Sequence, residues 1–498
     1  MRKLWLTCAI SGLLFAVACG SGGNNSSNSS SNNTGDNTGN PSNSSNTTVT
    51  AVDGGVSTAG GNTIAAAANN VAPLTVDGGK GLKLTFVNYN VAYTTVTVCL
   101  PGTATCQTID HVIVDTGSSG LRVPYGVLNS SLQSGLANVG VSAPLAECIH
   151  FVNNTFFWGS VRYADVKIGG ANNDSEVAGN IPIHVMGDPT VGTSIPSACS
   201  GKEDDTVNSL GANALIGVGP YQYDCDYVGN VNGCTAAVPA GTYYTCSGGS
   251  CTNSGLAVAT AQQVRNPVSA FATDNNGVIV ELPAVPVGGQ ASVSGGSLVF
   301  GIGTEANNAL ANGATVLTLD ANYQDAAFGG VTTVFNGASY PPQGAGYKGV
   351  GSFIDSGTPA VSFLDQAILQ GNAATAGMVD CAGADYTLLY CPNTGTSPLF
   401  TQALSATNIV TNSGVANGNS RGVAFNVSNA DVLFKSSSTT AASDLGGPIT
   451  TGTPSASTQL LDEYFDWGMP FFYGRNVYTA IQGVTAPSGV PAGPFWAY

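Results

Sequence analysis

Asp115 and Asp355 each close a short apolar run and open a turn of small residues, VIVDTGSSG around the first and FIDSGTPAV around the second. A carboxylate at the mouth of a buried strand is a costly group to place there. Two such groups facing each other cannot both ionise cheaply, so they share one proton over a wide pH range. The ionised member can act as general base on a water held between them, while the protonated member donates to a carbonyl under attack. Gly117 and Gly357 let the backbone turn back tightly and bring its N–H groups toward the carboxylates. The hydroxyls of Thr116, Ser118, Ser356 and Thr358 are spaced to hydrogen-bond the carboxylates or the opposite turn. Either tetrapeptide alone also fits a structural Asx-type turn between strands. Two of them, each after an apolar strand, point to a paired site.

The elements that would carry these turns repeat as well. NALIGVGP places Gly217 at 102 residues after Asp115, and FDWGMPFF places Gly468 at 113 after Asp355. The chain has 498 residues, of which 66 are Gly and 8% are charged, and its apolar residues come in short runs broken by Gly, Pro and Asn. That pattern reads as mainly all-β, with one carboxylate in each of two duplicated β lobes. The expected organisation is a signal peptide over 1–18, a lipidated Cys19 with a disordered tether over 19–75, an N-terminal lobe over 76–304 and a C-terminal lobe over 305–498.

The leader follows from Arg2 and Lys3, the apolar segment Leu4 to Val17 and the small residues Ala18-Cys19. AVAC followed by Gly20 resembles the bacterial lipoprotein signal, with Ala16 where Leu is usual; an ordinary signal cleaved nearby is the alternative. The Asn/Ser/Gly tract from Gly20 to about Thr48 cannot bury a core and reads as a tether. These features place the chain in the bacterial cell envelope, as an outer-membrane lipoprotein facing the periplasm or the surface, touching membrane through its lipid alone. Without the leader, 11 basic stand against 29 acidic side chains, a net charge of −18. Such a surface repels nucleic acid.

Of the 12 Cys, Cys8 lies in the leader and Cys19 is the lipid candidate, leaving ten. Eight fall in close pairs: Cys99/Cys106, Cys225/Cys234, Cys246/Cys251 and Cys381/Cys391. Cys148 and Cys199 pair by elimination, giving five disulfides. With no C-x-x-C and only His111, His150 and His184, no metal is expected.

VIVDTGSSGLRVP and FIDSGTPAVSFL resemble the two active-site segments of the pepsin-like aspartic proteases. WGSVRYADVKIGG is similar to the strand returning from that family's flap, SGGSLVFGIGT to its end-of-lobe strand, and GMPFFYGRNVYTAI to its near-C-terminal strand and short helix. Together these cover most of residues 85–485. The resemblance implies a bilobal all-β fold with a cleft between the lobes, catalytic Asp115 and Asp355, and bracing of the two turns by Thr116 and Ser356. It also implies that Ser118 and Thr358 bond the outer carboxylate oxygens. No cofactor is implied.

Four departures stand out. Arg122 occupies the place of the family's Trp and is expected at the surface or in a salt bridge. The flap segment ECIHFVNNTFFW has no Tyr; Phe151 is the candidate to cap the cleft, with Phe156 or Phe157, and core packing is the alternative for each. Asp466 stands where the family has an apolar residue, or marks a misaligned boundary. Residues 20–75 contain no Lys or Arg, so a basic inhibitory prosegment is not expected. Segments 222–262 and 435–459 read as inserted surface loops.

The function expected is an exported, lipid-anchored aspartic endopeptidase, a monomer acting on polypeptide. The alternative is an inert binding protein on the same fold, holding a polypeptide or glycan in the cleft. A serine hydrolase is disfavoured, since no G-x-S-x-G elbow with a His partner occurs.

Overall fold

The computed structural model describes residues 53–54 and 62–498, except 141–142, 152–154, 193, 228–230, 236–241, 253–255, 321–329, 342–350, 383–387, 413–414, 436–437 and 450–463. The expected signal peptide and Cys19 lie outside the described residues.

The strand Cys106–Asp115 starts half-exposed and ends with Val112–Asp115 buried. That continuous burial fits a strand covered on both faces, which is why its last residues read VIVD rather than alternating. It runs parallel to Ala214–Val218, with Val112 opposite Ala214 and Asp115 opposite Gly217. The chain turns after Asp115 and returns as Ser119–Pro124, antiparallel to the other side of Ala214–Val218. One strand is thus threaded between the two arms of the carboxylate turn.

The second half repeats the device. Phe353–Ile354 runs parallel to Phe465–Trp467, and Val361–Phe363 lies antiparallel on the other side. Phe335, Phe363, Phe425, Phe465 and Trp467 pack edge-on or stacked beneath it. The turn at Asp355 therefore rests on aromatic rings, while the turn at Asp115 rests mainly on Val, Ile and Leu.

A shared layer joins the halves. Val71–Val76 pairs with Val293–Phe300, which pairs with Gly277–Glu281, which in turn pairs with Asn476–Ala480 and on to Phe495–Ala497. Two expected boundaries change here. The tether does not reach residue 75, because Val71–Val76 is a strand with Ala72, Leu74 and Val76 fully buried. The split at 304/305 does not divide this layer, since Asn476–Ala480 and Phe495–Ala497 belong to the sheet that holds Val71–Val76.

All five expected disulfides are present: Cys99–Cys106, Cys148–Cys199, Cys225–Cys234, Cys246–Cys251 and Cys381–Cys391. They fit a chain that matures in an oxidising compartment. No helix among the described residues is long and apolar enough to cross a membrane. The segment 222–262 is more than a surface loop. Its strand Tyr243–Ser247 pairs with Leu145–His150, and Tyr243 and Tyr244 are buried.

Candidate active site

The two turns meet at the junction of the lobes. Asp115 and Asp355 are buried, and their carboxyl groups lie within hydrogen-bonding reach of each other. Each carries the same local dress. Gly117 N–H donates to Asp115 Oδ1 at 2.8 Å, and Gly357 N–H donates to Asp355 Oδ1 at 2.7 Å. Ser118 Oγ donates to Asp115 Oδ2, and Thr358 Oγ1 contacts Asp355 Oδ2 at 3.1 Å.

The turns also brace each other. Thr116 N–H donates to Ser356 Oγ at 3.1 Å, and Ser356 N–H donates to Thr116 Oγ1 at 2.9 Å. Ser356 Oγ donates in turn to Val114 O at 2.7 Å, and Thr116 Oγ1 to Ile354 O at 3.3 Å. Each bond in this crossed network runs from one turn to the other, two donated from each side, so the carboxyl separation is fixed by bonds rather than by loop packing. Gly117 has a second reason to lack a side chain. A Cβ there would stand 2.5–2.7 Å from the Asp355 carboxyl atoms. All eight residues expected in the two turns are therefore brought together.

Electrostatics separates the two acids. Burial pushes Asp355 well above the ordinary carboxylate range, and its acidic neighbours Asp115 and Asp466 add to the push. Burial also raises Asp115, but hydrogen bonds from Ser118, Asp355 and Gly117 and the field of Arg122 oppose it. The two acids titrate together, and the stronger upward push falls on Asp355.

Arg122 is not at the surface. It is 1% exposed, and Nη1 donates to Ser119 O at 2.7 Å while Nη2 donates to Glu147 Oε1 at 3.2 Å. Asp224 Oδ2 lies 3.8 Å from the same Nη2, and His184 Nδ1 lies 3.0 Å from Glu147 Oε2. Tyr243 O–H reaches both Asp224 oxygens at 2.7–2.8 Å. Burial holds His184 neutral, and burial with the neighbouring Glu147 charge drives Asp224 upward. The sequence alone does not reveal this buried cluster; its one signal is Arg122 standing where the pepsin-like proteases that the motif resembles carry Trp.

Phe151 changes role. The hairpin expected of the flap exists, with Leu145–His150 antiparallel to Thr155–Ile168, and its Asn153-Asn154 tip lies outside the described residues. Phe151 itself is buried edge-on against Phe157, in a cluster with Tyr93, Ile113, Ile149 and Leu215. Its bulk goes into packing of the first lobe rather than into a free cap over the cleft. Phe156 and Phe157 are likewise buried. Asp466, by contrast, is no boundary error. It sits mid-strand opposite Phe353 and Ser362, and Thr358 Oγ1 lies 2.7 Å from its Oδ2.

Fold and site together define a two-lobed all-β protein whose duplicated turns bring a carboxyl pair to the lobe junction, the architecture the pepsin-like resemblance implies. Residues 66–498 match the family model described as "Protein of unknown function (DUF3443)", and the chain belongs to that family. No curated protein matches the sequence. Among solved structures the chain is similar to an aspartic proteinase from Irpex lacteus, at 15% identity and TM-score 0.42 over 82% of this chain and 93% of that one. It is also similar to Basic 7S globulin from soybean, at 12% identity and TM-score 0.40 over 82% and 92% of the two chains. A third is the protein titled edgp, at 10% identity and TM-score 0.36 over 82% and 91%.

Proposed function

We propose that this protein is an aspartic endopeptidase that hydrolyses polypeptides with water activated between Asp115 and Asp355. The observation that carries the reading is the carboxyl pair itself: buried, mutually in reach, each with its own N–H and hydroxyl, and locked by the Thr116–Ser356 cross-bracing. In the reaction the water oxygen bonds to the peptide carbonyl carbon and its proton goes to the ionised carboxyl. The neutral carboxyl gives its proton to the carbonyl oxygen, so a neutral diol forms with no covalent enzyme intermediate. Collapse of the diol returns one proton to the pair and sends one to the leaving amine. Asp115 is the better base at rest, because Arg122 and three hydrogen bonds favour its charged form.

The test is cleavage of a denatured protein by the purified chain at acidic pH, with a statine-containing peptide as inhibitor. Its hydroxyl takes the place of the attacking water, so it should bind far more tightly than substrate. An intact fold that cuts nothing between about pH 2 and 8 sinks the enzyme reading. A polypeptide or glycan retained under those conditions would instead support a binding protein. Export and a lipid on Cys19 belong to the same reading and rest on the leader motif. The mass of the mature N-terminus decides them, and an unmodified start elsewhere excludes the lipid.

A further inference from the structure

We propose that Asp466 is a third carboxyl of the site, kept protonated, which donates to Thr358 Oγ1 and thereby turns the Thr358 hydroxyl toward Asp355. Its consequence for catalysis rests on the aspartic-protease reading; its geometry does not.

The proton count comes first. Thr358 Oγ1 lies 2.7 Å from Asp466 Oδ2 and 3.1 Å from Asp355 Oδ2. A hydroxyl has one proton to give. It can donate along one of these contacts, so along the other a carboxylic acid must donate to it. Asp355 has alternatives for a negative charge: Gly357 N–H bonds its Oδ1, and Asp115 shares a proton with it. Asp466 has none. It is 4% exposed, and its Oδ1 is buried without a hydrogen-bond partner among the described residues. Among the described residues the titratable groups that face it are Asp115 and Asp355, both acids, while Arg122 acts on Asp115. An ionised Asp466 would be a buried charge beside two acids, held by a single hydrogen bond, which is the costly arrangement. The proton therefore sits on Asp466, and Thr358 donates to Asp355.

The duplication shows that this is an addition to one lobe. Leu215 takes the matching place in the first lobe, opposite Ile113 and Arg122, as Asp466 lies opposite Phe353 and Ser362. Only the Asp355 turn has a second acid behind its hydroxyl. Asp466 touches no reacting atom; it is a positioning residue. While neutral, it fixes the direction of the Thr358 proton without adding charge. Once ionised it accepts that proton's hydrogen bond instead, leaves Asp355 Oδ2 without its hydroxyl donor, and puts a negative charge beside the pair. Cleavage is then lost as pH rises through this ionisation, so Asp466 sets the upper pH limit of the site.

The experiment compares the full chain with D466N by two readouts. A carboxamide N–H can still donate to Thr358 but never ionises. Burial raises Asp466, so the stability its neutral form contributes is complete below the ordinary value of about 3.9 and is lost as pH rises through the folded-state value. The wild-type thermal midpoint should therefore fall relative to that of D466N as pH increases from about 4 to 8. In the pH profile of kcat/KM, the alkaline limb of D466N should move upward. One unit above the wild-type limb, the variant should keep roughly tenfold more of its own acid-pH rate, since a single ionisation removes a factor of ten per unit. That limb belongs to the three carboxyls together, and the substitution isolates the part due to Asp466. Parallel stability curves overturn the protonated acid, and so does a D466N that unfolds at every pH, because a neutral isostere should replace a neutral acid. Diverging stability curves with an unshifted limb overturn the positioning role. If neither protein cleaves anything, the protease reading fails alone, and the stability comparison still decides the state of Asp466.

Discussion

Asp115→Asn and Asp355→Asn are each expected to lower kcat on denatured protein by on the order of 10⁴-fold or more, since each removes a group that moves a proton in the transition state. The fold should survive both changes. Asn keeps the shape of Asp: its one side-chain oxygen can still accept from the N–H of Gly117 or Gly357, and the NH2 in place of the other oxygen can donate to the hydroxyl of Ser118 or Thr358 once that hydroxyl rotates. What disappears is the shared proton. With Asn at 115 the site has no base beside a neutral Asp355; with Asn at 355 it has no acid beside an ionised Asp115. The double variant should lose little more than either single one, because residues that act as one unit are not additive. Circular dichroism and thermal midpoints check the fold, and peptide mapping of the substrate checks the cleavage. A single Asn variant that keeps a tenth or so of wild-type kcat would remove the pair from the mechanism.

The site was legible in the sequence where its determinants are local. A carboxylate, a glycine and two hydroxyls within four residues specify a turn and its hydrogen bonds whatever the rest of the chain does, and Thr116, Ser118, Ser356 and Thr358 all act within or between those turns. The five disulfides were legible because four are closed within ten residues or fewer. Groups whose meaning comes from partners on distant strands were not. Arg122 takes its character from Glu147, His184 and Asp224, which lie on two strands of the first lobe and in the segment 222–262. Asp466 became a member of the site only through its register against Phe353 and Ser362, more than a hundred residues earlier. Phe151 could not be told from a cap by its type, because a large ring packs equally well into a core cluster. The composition upstream of residues 71–75 reads them into the tether, although in VAPLTV the apolar Ala72, Leu74 and Val76 already alternate as the buried face of a strand does.

Arg122→Met should destabilise the protein by about 3–5 kcal/mol, the usual cost of removing one partner of a buried ion pair and leaving the other charge behind. The side chains of Arg122 and Glu147 are 1% and 0% exposed, so solvent does not screen the loss. Glu147 is then left buried with no guanidinium beside it, and Asp224, itself an acid bonded by Tyr243 and pushed upward by burial, offers no compensation. Methionine fills much of the volume, so the loss is electrostatic more than steric. The partner change makes this checkable. In Arg122→Met with Glu147→Gln the stranded charge is gone, and most of the stability should return, because replacing a whole buried pair is often close to neutral. Urea unfolding of the wild type, both single variants and the double variant closes the cycle, with an expected coupling energy of about 1–3 kcal/mol. Cleavage should not recover in step with stability. Arg122 Nη1 holds the carbonyl of Ser119, the residue after the hydroxyl that bonds Asp115, and its field favours the charged form of Asp115. The refolded double variant should therefore show an acid limb displaced to higher pH, since Asp115 ionises later without the guanidinium. If Arg122→Met costs under about 1 kcal/mol, or the double variant is no better than the single, the cluster is not holding a charge pair in the interior. If stability returns and the acid limb stays where it was, Arg122 supports the first lobe without tuning the carboxyl that follows it.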